Sequence, residues 1–164
     1  IMNFIAANNA NDIFYNYLLS GIYSPKASIQ TIANAMDVGD PSNFARILDL
    51  YKSSHAEICN HISGATYSDD EIAATMKKCY EQTGYVLDPH GACGYQALKD
   101  NLKEGETGVF LETAHPAKFK EKVDAILSTD IEIPTRLADF MKGKKQSLEM
   151  AADFSAFKQF LLSV

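Results

Sequence analysis

An α/β fold, a partial parallel sheet with flanking helices, is predicted by three features of the sequence. Short apolar runs alternate with stretches of helical periodicity, and the connections between runs are long enough for parallel crossovers. Polar residues suited to turns and caps stand where those runs end. The 164 residues suit one domain, and no repeat, linker or low-complexity tract divides them.

Ile1 to Ala7 reads as a strand, nearly continuous in apolar residues as buried parallel strands are. Asn8-Asn9-Ala10-Asn11-Asp12 supplies turn and cap chemistry, and a short helix from Ile13 to Leu19 stops at Gly21. Tyr23-Ser24-Pro25-Lys26 breaks regular structure, and Ser28 to Val38 has no clear period. After the turn Gly39-Asp40-Pro41-Ser42-Asn43, one long helix is expected. Phe44, Ile47, Leu48, Tyr51, Ile58 and Ile62 form its stripe, and Ser63-Gly64 ends it. Ser68-Asp69-Asp70-Glu71 opens another helix, with a cap and an acidic first turn; its apolar side is Ile72, Met76 and Tyr80.

Two strand-to-helix units follow. Tyr85-Val86-Leu87 is read as a strand, and Asp88-Pro89 as the cap and first turn of the next helix. Thr107 to Leu111 is read as a second strand. Thr113-Ala114-His115-Pro116 leads into a helix bearing Phe119, Val123, Ile126 and Leu127. Beyond Ile133-Pro134 come a short helix to Met141, a solvated basic loop at 142–145, and a terminal helix with Met150, Phe154, Phe157 and Leu161.

Composition excludes several function classes. Fifteen Lys and Arg against twenty-one Asp and Glu give a net charge of −6, which offers no general attraction to nucleic acid or anionic membrane. Apolar residues at 46% and charged residues at 22% suit a globule, and no apolar run approaches a membrane span. The opening residues lack the basic flank of a signal peptide. Cys59, Cys79 and Cys93 form no CxxC pair, so a reducing cytoplasm is the expected setting. His55, Cys59 and His61 cluster in sequence, but helical spacing sends His61 elsewhere, and no metal site is expected.

Ligands of open α/β sheets bind beyond the carboxyl ends of the strands. That rule selects three loops: 8–12, 88–92 and 112–115. Within them Thr113 presents a hydroxyl between strand and helix, where a plain helix cap is the alternative. Asp88 is explained equally by N-capping. His90 and His115 could meet an anionic ligand or serve as ordinary core or surface histidines. Lys26 and Lys118 are read as exposed amines without the burial or charge that would activate them.

Four stretches together resemble the threonine synthases, pyridoxal-phosphate enzymes of the fold-type II group. They are Phe4 to Asp12; Ser24-Pro25-Lys26-Ala27 with Asn34-Ala35-Met36-Asp37-Val38-Gly39-Asp40-Pro41-Ser42-Asn43-Phe44; Asp88-Pro89-His90-Gly91-Ala92; and Leu111-Glu112-Thr113-Ala114-His115-Pro116-Ala117-Lys118-Phe119. The resemblance covers essentially the whole chain. It implies that residues 1–164 are the C-terminal part of a large cofactor domain, with the Schiff-base lysine and the phosphate loop in a missing N-terminal part. It also implies the parent reaction, in which O-phosphohomoserine and water give threonine and phosphate with pyridoxal phosphate as cofactor. No catalytic residue is then expected in this chain, and no activity from it alone. By the same resemblance, the Thr113 hydroxyl bonds the cofactor's pyridine nitrogen. Ala35, Met36, Asp37, Asp88, His90 and His115 become candidate site lining, although apolar packing explains Ala35 and Met36 as well. A different class remains open: a non-catalytic module on the same scaffold, binding an amino acid, a phosphate or a partner chain.

Overall fold

Strand pairing brings together two segments far apart in sequence. The computed structural model describes residues 3–163. In it β1 (Phe4–Asn8) runs parallel to β2 (Ile62–Thr66), in register from Phe4 opposite Ile62 to Asn8 opposite Thr66. β1 is the expected opening strand; Ile1 and Met2, also assigned to it from sequence, lie outside the described residues.

β2 was not anticipated, and it corrects the long helix expected from Phe44 to Ile62. That stretch is two helices, α2 (Phe44–Leu50) and α3 (His55–His61), followed by the strand. Between them Lys52 and Ser53 adopt left-handed backbone, with φ of 50° and 58°. The Ser54 hydroxyl then accepts the Glu57 amide and starts α3 afresh. The apolar period persists because both helices turn the same side inward, Phe44 and Ile58 being buried in one cluster with Tyr17. Gly64 lets α1 (Ile13–Ser20) approach β2, since a Cβ there would sit 2.9 Å from both Leu18 Cδ1 and Tyr15 Cδ2. α1 ends at Gly21, with φ of 72°.

α4 (Asp69–Thr83) begins with the reciprocal Ser68–Glu71 capping box that its sequence announces. α5 (Pro89–Asn101) is capped by Asp88, whose side chain accepts the His90 amide. A 3-10 turn at Pro116–Phe119 leads into α6 (Lys120–Leu127). Ile72, Met76 and Cys79 of α4, Ala92, Cys93 and Ala97 of α5, and Val123 of α6 close a core around Leu87. Each large apolar side chain buried there contributes roughly 1.5–3 kcal/mol.

The other two expected strands are corrected. Among the described residues neither Tyr85-Val86-Leu87 nor Thr107 to Leu111 forms one. A strand exists only through a ladder, and these runs have none; Leu87 is buried while Val109 and Leu111 are 84% and 76% exposed. The class stands, as α/β with a small parallel sheet.

The chain divides into two compact units, Ile1–Glu132 and Ile133–Val164. The second carries α7 (Thr135–Met141) and α8 (Phe154–Ser163), joined through the exposed basic loop. Met150, placed on the terminal helix from sequence, precedes α8. No helix among the described residues is long and apolar enough to cross a membrane.

Candidate functional site

The carboxyl end of β1 runs into a polar knot. Asn9 is fully buried, and its amide donates to Thr31 Oγ1 at 2.8 Å, to Asp37 Oδ1 at 2.8 Å and to the Ala33 carbonyl at 3.2 Å. Asn11 donates to Asp37 Oδ1 and to the Ile29 carbonyl, and accepts the Ile29 amide at 2.7 Å. Asp37 also accepts the Thr31 hydroxyl and amide, at 2.7 and 3.0 Å. This carboxylate folds the irregular 26–39 segment back over the strand end. Lys26 pairs with Asp12 at 2.7 Å.

The second knot forms at the start of α5. Asp88 is fully buried; its Oδ1 accepts the His90 amide at 2.8 Å and His90 Nδ1–H at 2.6 Å. His90 Nε2 accepts the Ala35 amide at 3.0 Å, so the ring is the neutral Nδ1–H tautomer. The ring packs against Phe119, with centroids 4.8 Å apart and planes tilted by 50°. The Asp88 amide donates to Glu112 Oε1 at 3.0 Å. Burial pushes the Glu112 carboxyl up to about 7, and the Asp88 carboxyl beside it adds to the rise. Burial also acts against ionised Asp88, but hydrogen bonds from His90 and Glu112 outweigh it and hold Asp88 below its ordinary value.

Thus Ala35, Asp88 and His90 come together, with Glu112 tying in the segment that carries Thr113. Thr113 itself is exposed, and its hydroxyl has no partner among the described residues. Met36 is half-buried against the main core, and Asp37 belongs to the first knot. His115 stands apart from both, its Nδ1 accepting the Ala117 amide at 3.1 Å as a cap. Glu112 fell inside a loop selected from sequence but was not singled out; a glutamate closing an apolar run opposite an Asp-Pro cap was the available signal. His55 caps α1, with Nε2 donating to the Tyr17 and Leu18 carbonyls at 3.1 and 3.0 Å. No group of metal-holding side chains occurs among the described residues.

Comparison with known proteins supplies the family. The family model described as "Pyridoxal-phosphate dependent enzyme" matches residues 2–113, and "Threonine synthase, C-terminal" matches residues 91–161. The threonine synthase of Haemophilus influenzae is 43% identical over 99% of the chain. The chain belongs to the threonine synthase family of pyridoxal-phosphate dependent enzymes. It spans 38% of the length of that threonine synthase. The crystal structure of the Escherichia coli threonine synthase superposes with a TM-score of 0.82 at 39% identity, covering 99% of this chain and 38% of that one. A pyridoxal-phosphate-bound threonine synthase from Brucella melitensis gives 0.80 at 28% identity, covering 98% and 40%.

The side chains here suit the family's cofactor in one specific respect. Glu112, next to Thr113 in the chain, accepts the Asp88 amide, and the Asp88 carboxyl is engaged by His90. The polar group left open beside them is a neutral hydroxyl, able to donate to an unprotonated ring nitrogen.

Proposed function

We propose that this chain is the C-terminal portion of an enzyme that converts O-phosphohomoserine and water to threonine and phosphate. Pyridoxal phosphate, when bound, supplies the electron sink for that elimination and replacement. Thr113 holds the pyridine nitrogen through its hydroxyl, and a neutral partner leaves that nitrogen unprotonated, so the ring is a milder electron sink than one paired with a carboxylate. Ala35, Met36, Asp37, Asp88, His90 and His115 line or support the site. The Asp88–His90–Ala35 chain keeps the α5 start and the 34–36 turn in fixed relation. The missing N-terminal part of the protein supplies the lysine and the phosphate loop, so the 164-residue chain alone is inactive. The setting is cytoplasmic.

The observation that carries this reading is the open Thr113 hydroxyl, one residue from a carboxyl bonded to the buried cap of α5. The test joins this chain to the N-terminal portion of the Haemophilus influenzae relative and follows phosphate release from O-phosphohomoserine. Thr113→Val should lower turnover at least tenfold and shift the cofactor's absorbance. Unchanged turnover and spectrum would remove the assignment. Borohydride treatment of the 164-residue chain with pyridoxal phosphate should give no single-lysine adduct, whereas stoichiometric labelling of Lys26 or Lys118 would contradict it.

A further inference from the structure

Two carboxyl oxygens at the second knot are buried without a partner, Asp88 Oδ2 and Glu112 Oε2. They belong to residues already joined by the bond from the Asp88 amide to Glu112 Oε1. Both free oxygens are buried at the start of α5, where the Asp88 amide holds the Glu112 carboxyl at 3.0 Å. Space for this comes from Gly91, where a Cβ would sit 1.9 Å from Glu112 Oε2. His90 spends its one proton on Asp88 Oδ1 and accepts the Ala35 amide on the other nitrogen, so it neutralises nothing. Two ionised carboxylates here would place two negative charges in a buried site with no cation. One proton resolves both defects, because Glu112 Oε2–H can donate to Asp88 Oδ2.

We propose that Asp88 and Glu112 share a single proton, and that this carboxyl–carboxylate clasp positions Thr113 against the start of α5. Loss of the proton to solvent opens the clasp: the two like charges repel, Glu112 swings outward, and the segment bearing Thr113 is released. The ionisable groups facing Glu112 are Asp88, the cap of α5, His90 in its first turn and Tyr85 just before them, while Cys93 faces Asp88 from the next turn. None supplies a positive charge while His90 keeps its neutral tautomer. Thr113 matters through the cofactor reading above, and in that sense the inference rests on it; the clasp itself is measurable without cofactor.

The test is amide exchange at Asp88 and the Thr113 methyl shift, followed by NMR against pH in the 164-residue chain. In the unsubstituted chain, exchange at Asp88 should climb more steeply than base catalysis as pH passes about 7, and the Thr113 methyl should move in step. Glu112→Gln keeps both an acceptor and a donor without titrating. Its Asp88 exchange should stay slow and follow base catalysis alone, with the Thr113 shift constant in pH. Glu112→Ala should exchange at least tenfold faster at every pH. If that variant does not fold, Gly91→Ala tests the same point by displacing the Glu112 carboxyl. Coincident pH profiles for the unsubstituted chain and Glu112→Gln would overturn the proposal, as would a Thr113 methyl that does not titrate. Failure of the cofactor reading shows up separately, as unchanged turnover in Thr113→Val.

Discussion

Ala35 donates its backbone amide to His90 Nε2 at 3.0 Å across 55 residues of sequence. With that nitrogen occupied as an acceptor, the ring proton is on Nδ1, 2.6 Å from the buried Asp88 Oδ1. One imidazole therefore joins an irregular turn to a helix start, and it does so only in its neutral form.

Replacing that ring should be costly in proportion to what it leaves unpaired. His90→Ala removes one of the two donors from the Oδ1 of a fully buried aspartate and leaves the Ala35 amide to solvent. Because the lost bond is made to a charged group, a destabilisation of about 2 kcal/mol is expected in urea unfolding, with faster amide exchange at Ala35. Unaltered exchange at Ala35 would mean that the turn is held by something else.

Asp37 should matter at least as much. It accepts from Asn9, Asn11 and twice from Thr31. Asp37→Asn turns one acceptor into an amide that faces donors, so it should cost about 2–3 kcal/mol and loosen residues 26–39. Asp37→Ala, which removes the acceptors without adding a donor, is the control that separates lost bonds from the new clash.

The pH dependence of stability has a sign fixed by the Asp88–Glu112 pair. Glu112 titrates at about 7 in the folded chain against 4.5 ordinarily, so the folded state holds more proton between these values. Stability from Glu112 is complete below the ordinary value and falls as pH rises through about 7, by at most about 1.4 kcal/mol per pH unit. Asp88 is shifted the other way. Its contribution is present above the ordinary aspartate value and is lost as pH falls below it. Urea midpoints should decline as pH rises from 4.5 to about 7 in the unsubstituted chain, and Glu112→Gln should flatten that limb only.

Local chemistry made most of this legible. Ser68 with Glu71, Asp88 with Pro89, and Gly21 each fixed a helix boundary that the structure keeps, because caps act within a few residues. The break at Lys52-Ser53 was hidden by an apolar stripe that two consecutive helices share, although Ser54 and Glu57 stood at cap spacing. β2 was missed because Ser63 and Gly64 look like a terminator when read locally, and only pairing with β1 makes them a strand. The opposite error placed strands at 85–87 and 107–111, where apolar residues lack a ladder partner. The crevice rule holds for loop 8–12, which follows β1, whereas 88–92 and 112–115 were reached through strands that the structure does not form. The tie from Glu112 to Asp88 spans 24 residues and depends on the space left by Gly91, so no local pattern announces it.

Gly64 gives a last prediction in which two effects oppose each other. In an isolated strand, valine is favoured over glycine by up to about 1 kcal/mol, since branched side chains suit a pleated surface. Here an added Cβ would lie 2.9 Å from both Leu18 Cδ1 and Tyr15 Cδ2, so α1 would have to lift from β2 or both side chains change rotamer. Overpacking of this kind costs about 1–3 kcal/mol. Leu18, Ile62 and their neighbours also pack on the cluster around Tyr17, Phe44 and Ile58, which limits how far α1 can retreat. Gly64→Val should therefore be net destabilising by about 1–2 kcal/mol and Gly64→Ala by less. A valine variant with a raised urea midpoint would show that α1 is free to move away from the sheet.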